Sequence, residues 1–247
     1  MAYLELATAL SDARRKAARQ FSRSLETLLA ELAMESTRFE VRFVPVLPEP
    51  EWTADGIDRG EFFLSPNPGE ELRPLARIVS GGELSRIMLA IKTLTATSRH
   101  GFSDAADRPP SASAPGLIFD EVDAGIGGRV ADVVGRKLRT LGSAFQVLCI
   151  THLPQIAASA DTHYAIEKRV ERGRTRTTVR RLDEPGRVNE LARMLGGEAI
   201  SDGLRASARE MLVGRKAAAG AKAKGESESP VRAATGAKAG RGPKGKH

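Results

Sequence analysis

Cysteine is nearly absent from this 247-residue chain: Cys149 stands alone, so no internal disulfide can form, and four scattered histidines offer no zinc-ligand spacing. Long apolar runs are missing as well, the longest falling far short of the ~20 residues that a membrane span needs. The stretch Met1 to Leu10 has no basic region leading into an apolar one, so neither insertion nor secretion is expected and the cytoplasm is the default location. No G-x-S-x-G elbow occurs, which removes a common hydrolase signature. A literal G-x-x-x-x-G-K does occur, at Gly240 to Lys246. No apolar strand leads into it, His247 stands where a Ser or Thr should meet a metal ion, and a segment so rich in glycine and lysine produces the match by chance. The chain has no usable P-loop.

Hydrophobic residues make up 41% of the chain, enough to bury a real core in one large domain or two small ones. The net charge of +7 is unevenly placed. Residues 214–247 carry nine Lys or Arg against two Glu, which accounts for all of it and leaves 29 basic and 29 acidic residues in 1–213. The body is therefore neutral, and its overall charge gives no argument for a nucleic-acid partner. The segment 214–247, rich in Ala, Gly and Lys with almost nothing large and apolar, is expected to be a disordered basic tail, because it cannot bury enough surface to offset the entropy of ordering.

Residues 3–35 read as one amphipathic helix: Leu10, Ala13, Ala17, Phe21, Leu25, Leu28 and Leu32 recur at spacings of three or four, with Arg14, Arg15, Lys16, Arg19 and Arg23 between them. That spacing suits an ordinary surface helix or the end of a coiled coil. Phe39 to Phe43 alternates with period two, as a half-buried strand does, and Glu61 to Leu64 reads as an antiparallel partner ahead of a tight turn at Asn67-Pro68-Gly69. A helix over 83–97 and a loop over 99–115 follow. The chain then changes character: an apolar strand over 117–120, a glycine-rich turn, a helix over 129–141 stopped by Gly142, and an apolar strand over 145–150. This βαβ unit predicts two parallel strands, and runs as continuously apolar as Leu117-Ile118-Phe119 and Val147-Leu148-Cys149-Ile150 predict burial on both faces. A hairpin over 164–167 and 177–182, turning near Arg172-Gly173, and helices over 187–195 and 202–213 complete the ordered part. The predicted fold class is α/β with a parallel sheet at its core.

Parallel strands bring their carboxyl ends to one edge, so Asp120, Glu121 and His152 are expected together there, where open α/β sheets bind ligands. Ser80-Gly81-Gly82-Glu83 fits a capping box, the Ser80 hydroxyl accepting from the Glu83 amide and the Glu83 carboxylate from the Ser80 amide. Two glycines in a first helical turn cost up to about 1 kcal/mol each relative to alanine, so they call for a second reason. Bare amides at the positive end of a helix dipole make a close-approach anion site. Neighbouring side chains on a strand point to opposite faces, so Asp120 and Glu121 cannot act on the same group. One can face a Mg²⁺, directly or through water, and the other an attacking water as general base. Alone, such a pair is ordinarily a polar strand end and His152 a structural histidine. The glycine-rich exit Val122 to Gly128 and the matching place of His152 on the next strand turn the balance toward a site. Cys149, mid-strand in a buried run, reads as an inert core residue.

The order of these motifs resembles that of ATP-binding cassette proteins: a signature at Val79 to Arg86, a Walker B strand at Leu117 to Glu121, a D-loop around Asp123 and a switch histidine at His152. More narrowly, Asn67-Pro68-Gly69, Val79 to Arg86, Ile118 to Gly128 and Thr151-His152-Leu153-Pro154-Gln155 resemble the carboxyl-terminal half of the RecN family of bacterial DNA-repair proteins, which is related to the structural-maintenance-of-chromosomes (SMC) proteins. The resemblance covers roughly 3–213 and leaves the basic tail outside. It implies that 1–36 is the end of a coiled-coil arm and 37–213 the carboxyl-terminal lobe of an ATPase head whose P-loop lobe is absent here. ATP and Mg²⁺ are the implied cofactors, with Asp120 helping to hold Mg²⁺, Glu121 polarising the hydrolytic water and His152 contacting the γ-phosphate. Ser80, Gly81, Gly82 and Glu83 would bind ATP held by the second head of a homodimer, and Asp123 would couple the two sites. The resemblance further implies DNA as partner, in recombinational repair of double-strand breaks, with no membrane involved and a cytoplasmic, nucleoid-associated location. Without the P-loop lobe, the chain alone is expected to bind ATP weakly and not to turn it over measurably. Two other readings share the motifs: the nucleotide-binding subunit of a membrane transporter, expected to carry its P-loop earlier on the same chain, and a non-enzymatic scaffold that kept the fold and lost catalysis.

Overall fold

Helix α1 (Ala2–Glu31) runs unbroken because neither glycine nor proline interrupts it. The structure, a computed structural model, describes residues 2–44, 48–77, 80–99, 116–171, 173–197 and 199–225. The second half of α1 drives Leu25 and Leu29 fully into the core, with Leu32 just beyond its end, while the first half leaves Leu4, Leu6 and Leu10 open to solvent. That outer half leans on the segment 48–59: the Tyr3 and Trp52 rings stack with centroids 5.6 Å apart, and the Arg14 guanidinium meets the Asp58 carboxylate at 2.8 Å. The helix stops four residues before the expected end because Ala33 takes a left-handed φ of 60°, and the amides of Leu32 and Met34 both donate to the Leu29 carbonyl.

Strands β1 (Arg38–Phe43) and β2 (Gly60–Ser65) pair antiparallel, with Phe39 opposite Leu64 and Val41 opposite Phe62, and β3 (Arg73–Pro74) joins the far edge of β2. Phe39 and Leu64 face the core, and Phe21 of α1 meets Phe39 edge-on. The Asn67-Pro68-Gly69 turn forms where the sequence places it, the Ser65 hydroxyl donating to the carbonyls of Asn67 and Glu70 and Gly69 adopting a φ of 81°.

Helix α2 (Gly81–Arg99) crosses beneath α1 and leads to the βαβ unit of β4 (Gly116–Phe119), α3 (Gly128–Leu141) and β5 (Gln146–Cys149). The strands are parallel, in register from Gly116 opposite Gln146 to Phe119 opposite Cys149. One face packs on the core through buried Phe119 and half-buried Leu117, Val147 and Cys149. The other face corrects the expected double burial: Ile118 is 72% exposed, with Leu148 and Ile150 about half exposed. A strand apolar at every position has no polar side to show to water, yet among the described residues α2 and α3 cover only one side.

Helix α4 (Pro154–Ala158) opens on proline, whose missing amide does no harm in a first turn, and is followed by a hairpin of β6 (Tyr164–Glu171) and β7 (Arg174–Arg181), paired from Tyr164 opposite Arg181 to Glu171 opposite Arg174. It is longer than its hydrophobic alternation suggests, and Arg172 of the expected turn lies outside the described residues. Helix α5 (Glu184–Gly196) starts three residues early because the Asp183 carboxylate caps it, accepting from the Gly186 amide at 2.8 Å. Helix α6 (Asp202–Gly225) packs Ala208 against Leu191 and Ala192 in a small second core. It runs on past the expected end at 213 through alanine- and lysine-rich sequence of high helix propensity, so the first part of the predicted tail is helical. The rest of that tail, most of the 99–115 loop and Val79 lie outside the described residues. No helix among the described residues is long and apolar enough to cross a membrane.

Candidate functional site

Strand β4 ends at Phe119, and the chain reverses at once, the Ala124 amide donating to the Glu121 carbonyl and the Ile126 amide to that of Asp123. The reversal puts Glu121 at a left-handed φ of 57°, uncommon for a residue with a side chain and a mark of local strain. This turn, and not alternation along a strand, is what separates the two carboxylates. Asp120 lies past the last strand residue, its Oδ1 accepting from the Glu121 amide at 2.9 Å, and both acids are exposed.

Asp123, two residues on, is only 4% exposed. Its Oδ2 accepts from the Thr151 hydroxyl at 2.5 Å and the His152 amide at 2.9 Å, and lies 3.0 Å from His152 Nδ1. One carboxylate oxygen thus ties the end of β5 to the turn after β4. The same contact fixes the imidazole by Nδ1 and leaves its other nitrogen, Nε2, for a ligand, on a ring that is 72% exposed. The Leu153 amide donates to Thr151 Oγ1 at 3.0 Å, which completes the bend into α4.

The first turn of α2 leans on this acidic turn from the other side. The Glu83 amide donates to Ser80 Oγ at 3.4 Å, one of the two bonds of a capping box. A Cβ at Gly82 would stand 2.7 Å from the Ala124 Cβ and 3.2 Å from the Glu121 carbonyl, and one at Gly81 would collide with the Glu121 carboxylate. The two glycines therefore have a packing reason besides their bare amides. Two side chains that the motif reading left without a role secure the contact: Ser85 Oγ donates to the Asp120 carbonyl at 2.6 Å, and the buried Arg86 donates from Nη1 to the Ala124 carbonyl at 2.7 Å. A hint lay in the sequence: Arg86 directly precedes the apolar stripe of α2, where a solvated arginine is out of place. Burial lowers its pKa, with the Glu83 charge acting the other way, and a guanidinium stays charged at any ordinary pH.

Cys149, half-buried at the last residue of β5 and not mid-strand in a buried run as expected, has its thiol pushed up to about 12 by burial and then by the charges of Asp123 and Asp120, which agrees with an unreactive thiol. Among the described residues no group of three His, Cys, Asp or Glu side chains stands ready to hold a metal. A single exposed carboxylate such as Asp120 does suit Mg²⁺, which keeps most of its waters and is ordinarily bound by one or two carboxylates together with substrate phosphates.

No protein-family model matches the chain. Curated proteins do. The DNA repair protein RecN of Halalkalibacterium halodurans is 42% identical over 205 residues, covering 83% of this chain and 34% of that protein. The DNA repair protein RecN of Deinococcus radiodurans is 43% identical over 211 residues, 85% of this chain and 34% of that protein. Over that span the chain belongs to the RecN family. It spans about a third of the length of the curated relatives it matches. Among solved structures, an Smc head domain from Pyrococcus furiosus, bound to the C-terminal domain of ScpA, is 18% identical with a TM-score of 0.43, covering 76% of this chain and 42% of that one, a likeness too slight to add to the RecN match.

The predicted site residues gather in two linked groups. Gly81 and Gly82 lie against Glu121, with Ser80 and Glu83 bonded to each other in the same turn and Ser85 on the Asp120 carbonyl, and Asp123 holds His152. Glu121 and His152 are joined through Asp123, two residues from the one and hydrogen-bonded to the other.

Proposed function

We propose that this chain forms the carboxyl-terminal lobe of a RecN-type ATPase head acting in recombinational repair of DNA double-strand breaks. The observation that carries the reading is Asp123 drawing His152 against the acidic turn, which brings an imidazole and two exposed carboxylates beside the first turn of α2. Bound Mg²⁺–ATP supplies the phosphoryl group and the cation that offsets its charge. Asp120, just past the end of β4, would hold the Mg²⁺, directly or through water. Glu121, exposed beside it, takes the proton of the attacking water. His152, fixed by Nδ1, offers Nε2 to the γ-phosphate. Ser80, Gly81, Gly82 and Glu83 would receive ATP held by a second head at the positive end of α2, with the Glu121 carboxylate beside Gly81 swinging aside, and Asp123 couples that contact to His152 in the same chain.

A P-loop lobe supplied by the rest of a RecN-type protein completes this half. A two-stranded sheet is marginal in isolation, and Ile118, Leu148 and Ile150 give a further layer a ready apolar face. The exposed Leu4, Leu6 and Leu10 on the outer half of α1 suit the end of a coiled-coil arm. The cytoplasm, at the nucleoid, is the fitting location.

The test is an ATPase assay on the full chain, alone and mixed with a polypeptide carrying the P-loop lobe. The chain alone is expected to be silent, and the mixture to show Mg²⁺-dependent turnover that Glu121→Gln abolishes. Turnover by the chain alone at an ordinary rate, lost on Glu121→Gln, contradicts the half-site reading; an inert mixture in which both polypeptides fold and associate contradicts the assignment as an ATPase.

A further inference from the structure

The β6–β7 hairpin has an unusual distribution of charge. Residues 164–181 carry seven Lys or Arg against two Glu, so within the neutral body 1–213 the remainder is acidic. From Ile166 through Lys168 and Arg169 to Val170, and along all of β7, every residue is exposed. Register divides the ribbon into two faces, since directly paired residues point the same way. One face carries Tyr164, Ile166, Val170 and Val179 together with Lys168, Thr175, Thr177 and Arg181. The opposite face carries four arginines, Arg169 paired with Arg176, Arg180 opposite Ala165 and Arg174 opposite Glu171, with Thr178 opposite Glu167. Ala165, Glu167, Arg169, Arg176, Thr178 and Arg180 line a shallow groove along it, in which Arg169 is bridged to Glu167 at 2.9 Å.

We propose that this arginine face of the β6–β7 ribbon is a docking surface for the phosphate backbone of duplex DNA. The inference rests on the DNA-repair reading above and adds to it the place of contact. DNA is favoured over an acidic protein surface on three grounds. Guanidinium forks bind phosphate with two parallel hydrogen bonds. Thr178, exposed on the same face, adds a hydroxyl of the kind that regularly donates to phosphate oxygens. A two-stranded ribbon also has the width that the major groove admits, and eight residues per strand give a length of roughly 27 Å, enough to reach both of its walls.

The experiment measures binding of a short fluorescent duplex to the full chain across a salt series, with the neutralised variant Arg169→Gln/Arg176→Gln/Arg180→Gln, a variant with the basic residues of 215–246 changed to Gln, and Ile166→Gln on the other face. Circular dichroism confirms that each variant is folded. The triple variant is expected to bind roughly ten-fold more weakly and to flatten the slope of log K against log salt by about 2–3, near one unit per lost phosphate contact. Ile166→Gln is expected to bind as the parent does. An unchanged slope in the triple variant with a loss in the tail variant overturns the inference and leaves the DNA reading standing. Absence of duplex binding by the parent overturns it as well, with polyglutamate binding lost in the triple variant pointing to an acidic protein partner; the ATPase reading is judged separately by the two-polypeptide assay.

Discussion

Alanine at Gly82 and alanine at Gly81 should have opposite effects on stability, although the residues are neighbours in one helical turn. At Gly82 the new methyl would lie 2.7 Å from the Ala124 Cβ and 3.2 Å from the Glu121 carbonyl oxygen, against the roughly 3.5–4.0 Å at which carbon atoms rest. Both obstacles belong to a turn already held at a left-handed φ and bonded to Arg86, so the backbone must shift by about 1 Å to restore that spacing. Overpacking of this kind costs about 1–3 kcal/mol, and removing a helical glycine returns at most about 1 kcal/mol. The net loss is about 1–2 kcal/mol. At Gly81 the obstacle is the tip of the exposed Glu121 side chain, which can swing aside, so the propensity gain survives and stability rises by up to about 1 kcal/mol. Urea unfolding of the full chain by far-ultraviolet circular dichroism reads both as shifts in midpoint at constant slope; in a thermal scan Gly82→Ala should lower Tm by roughly 2–8 °C. A Gly82→Ala protein as stable as its parent, or more stable than Gly81→Ala, would refute the close packing of α2 on the acidic turn.

Replacing Asp123 by Ala leaves the Thr151 hydroxyl and His152 amide without their acceptor and should cost about 2–3 kcal/mol, more than Asp123→Asn; equal midpoints for parent and alanine variant in urea would count against the tie between β4 and β5. Because the Cys149 thiol is pushed up to about 12, iodoacetamide near neutral pH should leave the native chain unmodified while labelling it in denaturant, and mass spectrometry showing rapid native labelling would contradict the burial. Burial, then the nearby Arg187 charge, holds His163 below its ordinary 6.5, with Glu190 acting the other way. The unfolded chain therefore takes up this proton first, so the His163 contribution is intact above about pH 6.5 and declines as pH falls from there toward the lower folded value. His163→Gln should flatten the fall in urea midpoint between about pH 7.5 and 5.5, and an identical pH profile would exclude His163 as its source.

Periodicity made α1, the β1–β2 pair and the βαβ unit legible in the sequence, because each repeats one local rule over enough residues to be read. The rim was legible for a related reason: parallel strands oblige Asp120 and His152 to emerge at one edge. What the residues could not show depends on partners distant in sequence. Asp123 reads as a loop acid until β5 is placed beside it, and the packing role of Gly82 exists only once Ala124 lies against it. Ile118 and Leu148 look like two-sided core, yet the layers that cover a sheet are set by other segments. The length of the hairpin escaped because arginine and threonine at its exposed positions break the hydrophobic alternation that marks a strand. The end of α1 depends on one left-handed alanine, a conformation that alanine does not announce.

The bonds from Ser85 and Arg86 to the acidic turn also have a mechanical meaning. They make α2 a stiff strut that packs against both α1 and α3 and shares the core with Leu25 and Leu29 of α1. Those two leucines sit near one end of a helix of 30 residues, roughly 45 Å long at 1.5 Å per residue. They could serve as a pivot: a tilt of about 5° there would carry Ala2 through roughly 3 Å, and the segment 48–59 would have to move with it, because Tyr3 stacks on Trp52 and Arg14 is bridged to Asp58.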